Sequence, residues 1–263
     1  MSDLSMQAYH ADAAIGASTA KLMLKSPQLF HDTRSGLVPR EEKASFAIGT
    51  LAHMMVLEPE KFARLVTCDG PVNPATGKMY GRETLKFAAF EAENPGITVV
   101  EPWLFTMLAR MPEEVRELLS GTVAEQSVFA EIDGVAVKCR PDAMRPGVIY
   151  DLKTCLDVDN LERDIAKFQY WFSAAWYRQV LHAATGKRPA YVFIFVEKRW
   201  PFRWRVATLD AGYNMHGDSV VCDVLGRISE CTASNDWADK VPLHVDVSLP
   251  NWMEPELEDE DDA

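Results

Sequence analysis

Two apolar runs too short to be helices bracket a segment of helical period, and this arrangement constrains the chain more than any other feature. Val148-Ile149-Tyr150 continues to Thr154, and Tyr191-Val192-Phe193-Ile194-Phe195-Val196 forms a second run after Gly186. Between them Ile165, Phe168, Phe172, Trp176 and Val180 recur at three- and four-residue steps, which predicts one long amphipathic helix over 161–184, ended by Gly186. Upstream, 123–132 and 135–141 flank Asp133-Gly134, a two-residue hairpin signal, and Pro146-Gly147 turns the chain into 148–154. Three consecutive strands are expected, neighbours in antiparallel pairing. A strand over 204–209 and a helix over 212–228 complete an order of helix, three strands, helix, strand, so the expected class is α/β.

The N-terminal half reads as mainly helical. Ser18 or Thr19 can cap a helix through Leu22, Met23 and Leu24 that stops near Ser26-Pro27, because a residue before proline disfavours the helical region. Ile48, Leu51, Met55 and Val56 predict a helix over 46–57, on which Gly49 and His53 lie four apart and share a face. Turn signals between Asp69 and Asn94 mark a connecting arm, and a further helix is expected over 102–119. The expected organisation is a single domain over 1–253, comprising a helical part to 120, an α/β core over 121–230 and an extension over 231–253.

Composition excludes some classes. Cys68, Cys139, Cys155, Cys222 and Cys231 are odd in number and lack the close pairing of a zinc or iron-sulfur site, so they read as reduced thiols. The absence of a basic, apolar leader and of an apolar stretch of about eighteen residues leads to the expectation of a soluble, cytoplasmic protein with no membrane partner. A net charge of −12 argues at face value against nucleic acid. Much of the excess, however, sits in Glu254, Glu256, Glu258, Asp259, Glu260, Asp261 and Asp262, an acidic tail over 254–263 expected to be solvated and disordered.

Chemistry concentrates around Asp151-Leu152-Lys153. Residues two apart on a strand point to one face, so a carboxylate and an ammonium converge there. Lys138, Arg140 and Asp142 share parity on the preceding strand, opposite Val137 and Cys139, and the Asp151 and Lys153 face should meet them. Taken alone, the triplet reads first as a surface salt-bridge ladder. With a second acid it is the minimal kit for metal-assisted phosphodiester cleavage.

Gly49-Thr50-Leu51-Ala52-His53, Lys138-Cys139-Arg140-Pro141-Asp142 and Asp151-Leu152-Lys153-Thr154 together resemble the PD-(D/E)XK nuclease superfamily, and within it the RecE-like exodeoxyribonuclease VIII family of phage and prophage recombination exonucleases. Ser26-Pro27, Leu57-Glu58-Pro59-Glu60, Val196-Glu197-Lys198 and Leu249-Pro250-Asn251-Trp252 extend the likeness along nearly the whole chain. One departure stands out. The family's Gln-x-x-x-Tyr falls on Ser173-Ala174-Ala175-Trp176-Tyr177, where Tyr177 fits and Ser173 replaces the glutamine. Gln169 lies one turn earlier, so Gln169, Ser173 and Tyr177 would form a stripe in which Gln169 substitutes or Ser173 holds a water.

The resemblance implies a restriction-endonuclease-like core with a mixed central sheet, flanked by helices and an N-terminal helical portion. Hard cations prefer oxygen, so Mg2+, with Mn2+ as substitute, would be held by Asp142, Asp151 and the Leu152 carbonyl. His53 joins them by family likeness. Lys153 would stand beside the attacking water and the phosphate, and Glu125 fits the family's upstream acid. The implied activity is 5′-to-3′ digestion of linear double-stranded DNA, leaving 3′ single-stranded tails for recombination by strand annealing. A single-strand annealing protein and a ring-like trimer or tetramer are the implied partners. Lys21, Lys25, Arg34, Arg40, Lys43, Lys78 and Arg82 are candidate duplex contacts, while Trp171 and Trp176 read as core or as base-stacking groups. Rival readings are a structure-specific endonuclease, an iron-sulfur nuclease, against which the cysteine spacing speaks, and a non-catalytic DNA-end-binding protein.

Overall fold

A computed structural model describes residues 4–38, 44–110, 112–242 and 244–248. Arg40, Lys43, the Leu249-Pro250-Asn251-Trp252 motif and the acidic run 254–262 lie outside the described residues, as do the side chains of Phe46 and Ile48. The helical half comprises α1 (Met6–Ala11), α2 (Ala17–Ala20) with a tighter turn over Lys21–Leu24, α3 (Pro27–Arg34), α4 (Ala44–Leu57) and α5 (Pro59–Leu65). Next come β1 (Val66–Thr67), α6 (Leu85–Glu93), β2 (Thr98–Val99), α7 (Pro102–Ala109) and α8 (Glu113–Leu118). The remainder is β3 (Val123–Ala124), β4 (Val128–Ile132), β5 (Val135–Cys139), β6 (Ala143–Arg145), β7 (Val148–Cys155), α9 (Leu161–Lys167), α10 (Tyr170–Thr185), β8 (Ala190–Glu197), β9 (Trp204–Thr208) and α11 (Ala211–Ser234).

The main sheet is mixed, as the α/β expectation required. Its order is β3-β6-β7-β8-β9, with β7 and β8 parallel and the other pairs antiparallel. The parallel pair needs a crossover, and α9 with α10 supplies it. Strand alternation then splits the core. Ile149, Cys155, Tyr191, Phe193 and Phe195 face a cluster built with Phe172, Trp176 and Val180 of α10 and Val221, Val224 and Leu225 of α11. Tyr150, Leu152, Ile194 and Val196 face a second cluster with Leu51, Ala52 and Val56 of α4 and Leu108 and Val115 beyond. Asp151 and Lys153 take the parity of Ile149 and therefore project on the α10 side.

Four expectations need correction. The three upstream strands are not successive neighbours: β4 and β5 form a separate two-stranded hairpin, which Ile15 joins by a bridge to Val137, and the short β3 and β6 enter the main sheet instead. The chain leaves the hairpin at Glu125, whose φ is 53°, and at Pro141, which has no N–H to continue a ladder. The shared face of Lys138, Arg140 and Asp142 fails for the same reason, because β5 ends at Cys139. The helix expected over 102–119 is two helices separated at Pro112.

The helix expected over 161–184 is also two. Gln169 adopts the left-handed region (φ 52°, ψ 44°) between α9 and α10, and Phe168 is 48 % exposed instead of buried. The Phe168 carbonyl, which a continuous helix would use internally, accepts the Lys21 ammonium at 3.0 Å, and the Phe172 amide donates to Gln169 at 3.1 Å. Gln169 thus precedes the helix that carries Ser173 and Tyr177, so the three do not form one helical stripe.

Candidate active site

The site forms where β7 loses a neighbour. The pairing of β6 with β7 ends at Ala143 and Tyr150, so among the described residues the edge of β7 beyond that point has no strand beside it. A strand residue presents its N–H and C=O to the same side, which leaves both groups of Leu152 facing the gap. Asp142, on the turn before β6, fills half of it: its Oδ2 accepts the Leu152 N–H at 2.7 Å. His53 fills the other half. α4 crosses β7 with Gly49 beside Thr154, and one turn on, the His53 ring bonds the Leu152 main chain while its Nδ1 stands 3.6 Å from Asp142 Oδ2. The bond favours the protonated ring, as donation to the carbonyl does.

Asp151 and Lys153 complete the group on the α10 face. Lys153 Nζ lies 2.6 Å from Asp151 Oδ1 and 5.5 Å from the centre of the Tyr170 ring. The ammonium is held above its ordinary range: burial opposes the charge, but Asp151 and Asp142 outweigh it. Burial would likewise raise Asp151, yet Lys153 keeps it below the ordinary carboxylate value. Asp142 goes the other way. Burial first, then the charge of Asp151, push it well up. Burial lowers His53 to about 4, so its ring is neutral at physiological pH and free to donate a lone pair.

These residues suit a hard divalent cation. Asp151 is 4 % exposed, and its Oδ2 has no hydrogen-bond partner among the described residues, a costly arrangement for a buried carboxylate oxygen. A cation there would satisfy that oxygen and relieve the repulsion between Asp142 and Asp151. No three His, Cys, Asp or Glu side chains among the described residues stand as a preformed cage, because Asp151 Oδ1 is turned to Lys153. The candidate set is therefore Asp142, Asp151 Oδ2, the Leu152 carbonyl and His53, a mainly oxygen set of the kind Mg2+ takes.

Other expected residues are placed differently. Glu125 Oε2 accepts from Arg140 Nε at 2.6 Å, its main-chain N–H donates to the Asp142 carbonyl at 3.1 Å, and its charge raises Asp142. Lys138 leaves the site entirely: its Nζ bonds the Tyr9 and Asp12 carbonyls at 2.5 and 2.9 Å, anchoring the segment around α1. Tyr177 is in edge contact with Tyr191, and burial raises both hydroxyls. Trp176 is core, its Nε1 donating to the Lys138 carbonyl at 3.1 Å, whereas Trp171 packs on His216. Among the basic candidates, Arg34 and Arg82 bond the Ala13 and Val99 carbonyls and so serve the fold.

Three residues beside the carboxylates escaped the sequence reading. Tyr170 covers Lys153, and Tyr191 places a buried hydroxyl beside Asp151. Lys21 was read only as a duplex contact, but burial and then the charge of Lys153 lower it to about 8, which places it next to the catalytic candidates. Nothing local in the sequence marks Tyr170 or Lys21. Tyr191 could have been found, because its parity on β8 is that of Asp151 on β7.

Residues 16–241 match the family described as PDDEXK-like domain of unknown function (DUF3799). The chain belongs to this PDDEXK-like family. The match includes His53, Asp142, Asp151 and Lys153. Among solved structures, a protein of Eubacterium rectale described as a candidate exonuclease superposes at TM-score 0.64 and 14 % identity, over 94 % of this chain and 97 % of that one. The likeness shows a shared fold over almost the full length of both chains. A second structure, SSO0001, aligns at TM-score 0.30 and 13 % identity over 57 % of this chain and 70 % of that one, too little to carry an argument. No curated protein matches the PDDEXK-like chain in sequence. No helix among its described residues is long and apolar enough to cross a membrane.

Proposed function

We propose that this PDDEXK-like protein hydrolyses phosphodiester bonds in DNA with a divalent cation, Mg2+ or Mn2+, and that it does so as an exonuclease on linear duplex. The observation that carries the reading is the pair of Asp142 and the buried Asp151 at the open edge of β7, with one orphaned carboxylate oxygen and Lys153 beside it. A bound cation would supply Lewis-acid polarisation of the phosphate and lower the pKa of a water. The chain's own groups do the rest. Asp142, held on the Leu152 amide, and Asp151 would hold the cation, and neutral His53 would add a nitrogen donor. Lys153 stays charged, so its part is to stabilise negative charge on the phosphoryl oxygens rather than to take a proton. Water adds to phosphorus as the P–O bond to the leaving oxygen breaks; the attacking water gives one proton to solvent, and the leaving oxygen takes one from it.

The finer reading follows the RecE-like resemblance: 5′-to-3′ polarity, 3′ single-stranded tails, a ring-like trimer or tetramer around the duplex, and a single-strand annealing protein as partner in recombination. The cytoplasm is the compartment proposed for it. The fold likeness to a candidate exonuclease supports this over a structure-specific endonuclease or a silent end-binding protein. Mg2+-dependent digestion of linear duplex labelled at one 5′ or 3′ terminus tests it. The 5′ label should be released first, closed circular DNA should be spared, and Lys153→Ala should lose about 10²-fold or more in rate. Release by the variant at the wild-type rate refutes the role of the site; release from the 3′ end first refutes the polarity.

A further inference from the structure

The turn between β8 and β9 has the composition of a nucleic-acid contact in a chain that otherwise repels one. Lys198-Arg199-Trp200-Pro201-Phe202-Arg203-Trp204-Arg205 puts four cations and three aromatic residues into one stretch of a protein whose net charge is −12. The cations divide into two sets. Arg203 is consumed by the fold: it bonds the buried Glu197 at 2.6 and 3.1 Å, Asp159 at 2.7 Å and Asp157 at 3.2 Å, while Arg205 bonds Asp159 at 2.6 Å. That network braces the base of the turn. Lys198 and Arg199 make no ion pair among the described residues, and Arg199 is exposed. At the tip stands Trp200, 69 % exposed, its ring buttressed edge-on by the buried Phe202 and approached by the Arg110 guanidinium at 5.5 Å.

The turn is also joined to the catalytic strand. The Lys198 amide donates to the Cys155 carbonyl at 3.0 Å, and Cys155 is two residues beyond Lys153 on β7, roughly 7 Å along a strand. The turn therefore stands at the end of β7, the strand that carries Asp151 and Lys153.

We infer that the β8–β9 turn binds a single DNA strand, with Trp200 stacked on a base and Arg199, Lys198 and Arg110 on the adjoining phosphates. The inference rests on the nuclease reading only for placing that strand at the site. Charge fits phosphate, and an exposed indole fits an unpaired base, whose face is open, better than a duplex, whose base faces are stacked. A braced turn loses little freedom on binding, so the stacking energy is not spent on ordering it.

The test uses the full chain in EDTA, which prevents hydrolysis, and a fluorescein-labelled oligo-dT followed by anisotropy. Trp200→Ala should weaken binding about five-fold or more, Trp200→Phe should retain most of it, and Arg199→Ala should flatten the dependence of log Kd on log salt by about 0.7. Met215→Ala, exposed on α11, serves as the neutral control. Binding of Trp200→Ala equal to wild type overturns the inference, as does a wild type that binds no oligo-dT. The nuclease reading fails separately: a wild type that releases no nucleotide from linear duplex, while Trp200→Ala still loses oligo-dT binding, sinks that reading and leaves the turn as a strand-binding surface.

Discussion

At the residue scale, Asp142 decides how the site behaves without a cation. Its carboxyl is raised by burial and then by Asp151, so the folded chain keeps a proton there that the unfolded chain releases near pH 4. The stability tied to that proton is complete below the unfolded value and is lost as pH climbs through the folded one. Asp142→Asn removes the loss. Metal-free, the variant should melt above wild type at pH 8 and level with it at pH 4, by about 2–4 °C for each kcal/mol recovered. It should also lose the rise in melting temperature that about 10 mM Mg2+ gives wild type through binding to the folded state. A variant that melts lower at pH 8, or keeps the Mg2+ shift, removes Asp142 from the cation set. Asp142 is legible in the sequence as an acid near the triplet, but its position is not: it acts from a turn, on the Leu152 amide, rather than from a strand face shared with Lys138.

At the element scale, the packing of α11 on α10 fixes the layer that covers Lys153. Two glycines in α11 make opposite predictions. A methyl at Gly217 would meet Ala175 Cβ at 3.0 Å and the Trp171 carbonyl oxygen at 3.1 Å, and the latter is backbone that cannot turn aside. Gly217→Ala should therefore cost about 1–3 kcal/mol by overpacking, more than the roughly 1 kcal/mol that alanine gains in a helix. Gly226 has nothing within 4 Å of the same methyl, so Gly226→Ala should stabilise by up to about 1 kcal/mol. Urea unfolding of both variants checks the pair, and equal shifts of one sign would refute the packing argument. The existence of α10 and α11 was plain from apolar periodicity. The break before α10 was not, since Gln169 has no composition cue and its left-handed backbone depends on Lys21 taking the Phe168 carbonyl.

At the scale of the whole molecule, charge is the unresolved tension between a proposed DNA substrate and a net −12. Seven acids crowd 254–262, so deletion of 254–263 removes more than half of that excess. The truncated protein should bind linear duplex more tightly in EDTA at about 50 mM salt, and the gain should shrink by about 300 mM, where screening shortens the reach of the tail. Anisotropy at the two salt concentrations measures it. An affinity unchanged at low salt would mean that the tail exerts no field at the DNA surface.

What the sequence by itself determined is local in origin. Period-two alternation and the Asp133-Gly134 turn gave the hairpin, the β7 run and the common face of Asp151 and Lys153; helical period put Gly49 and His53 on one side of α4. Such signals are carried by neighbours in the chain, so they survive without tertiary contacts. The tertiary structure alone decided where the chain crosses itself. Lys138 is spent on Tyr9, 129 residues away, and Lys21 on Phe168, 147 residues away, and neither partner is encoded near the residue it claims. The same long-range packing stops β6 at Ala143 and opens the edge of β7, where a carboxylate, an imidazole and a carbonyl gather because the backbone groups of Leu152 have no strand to satisfy them.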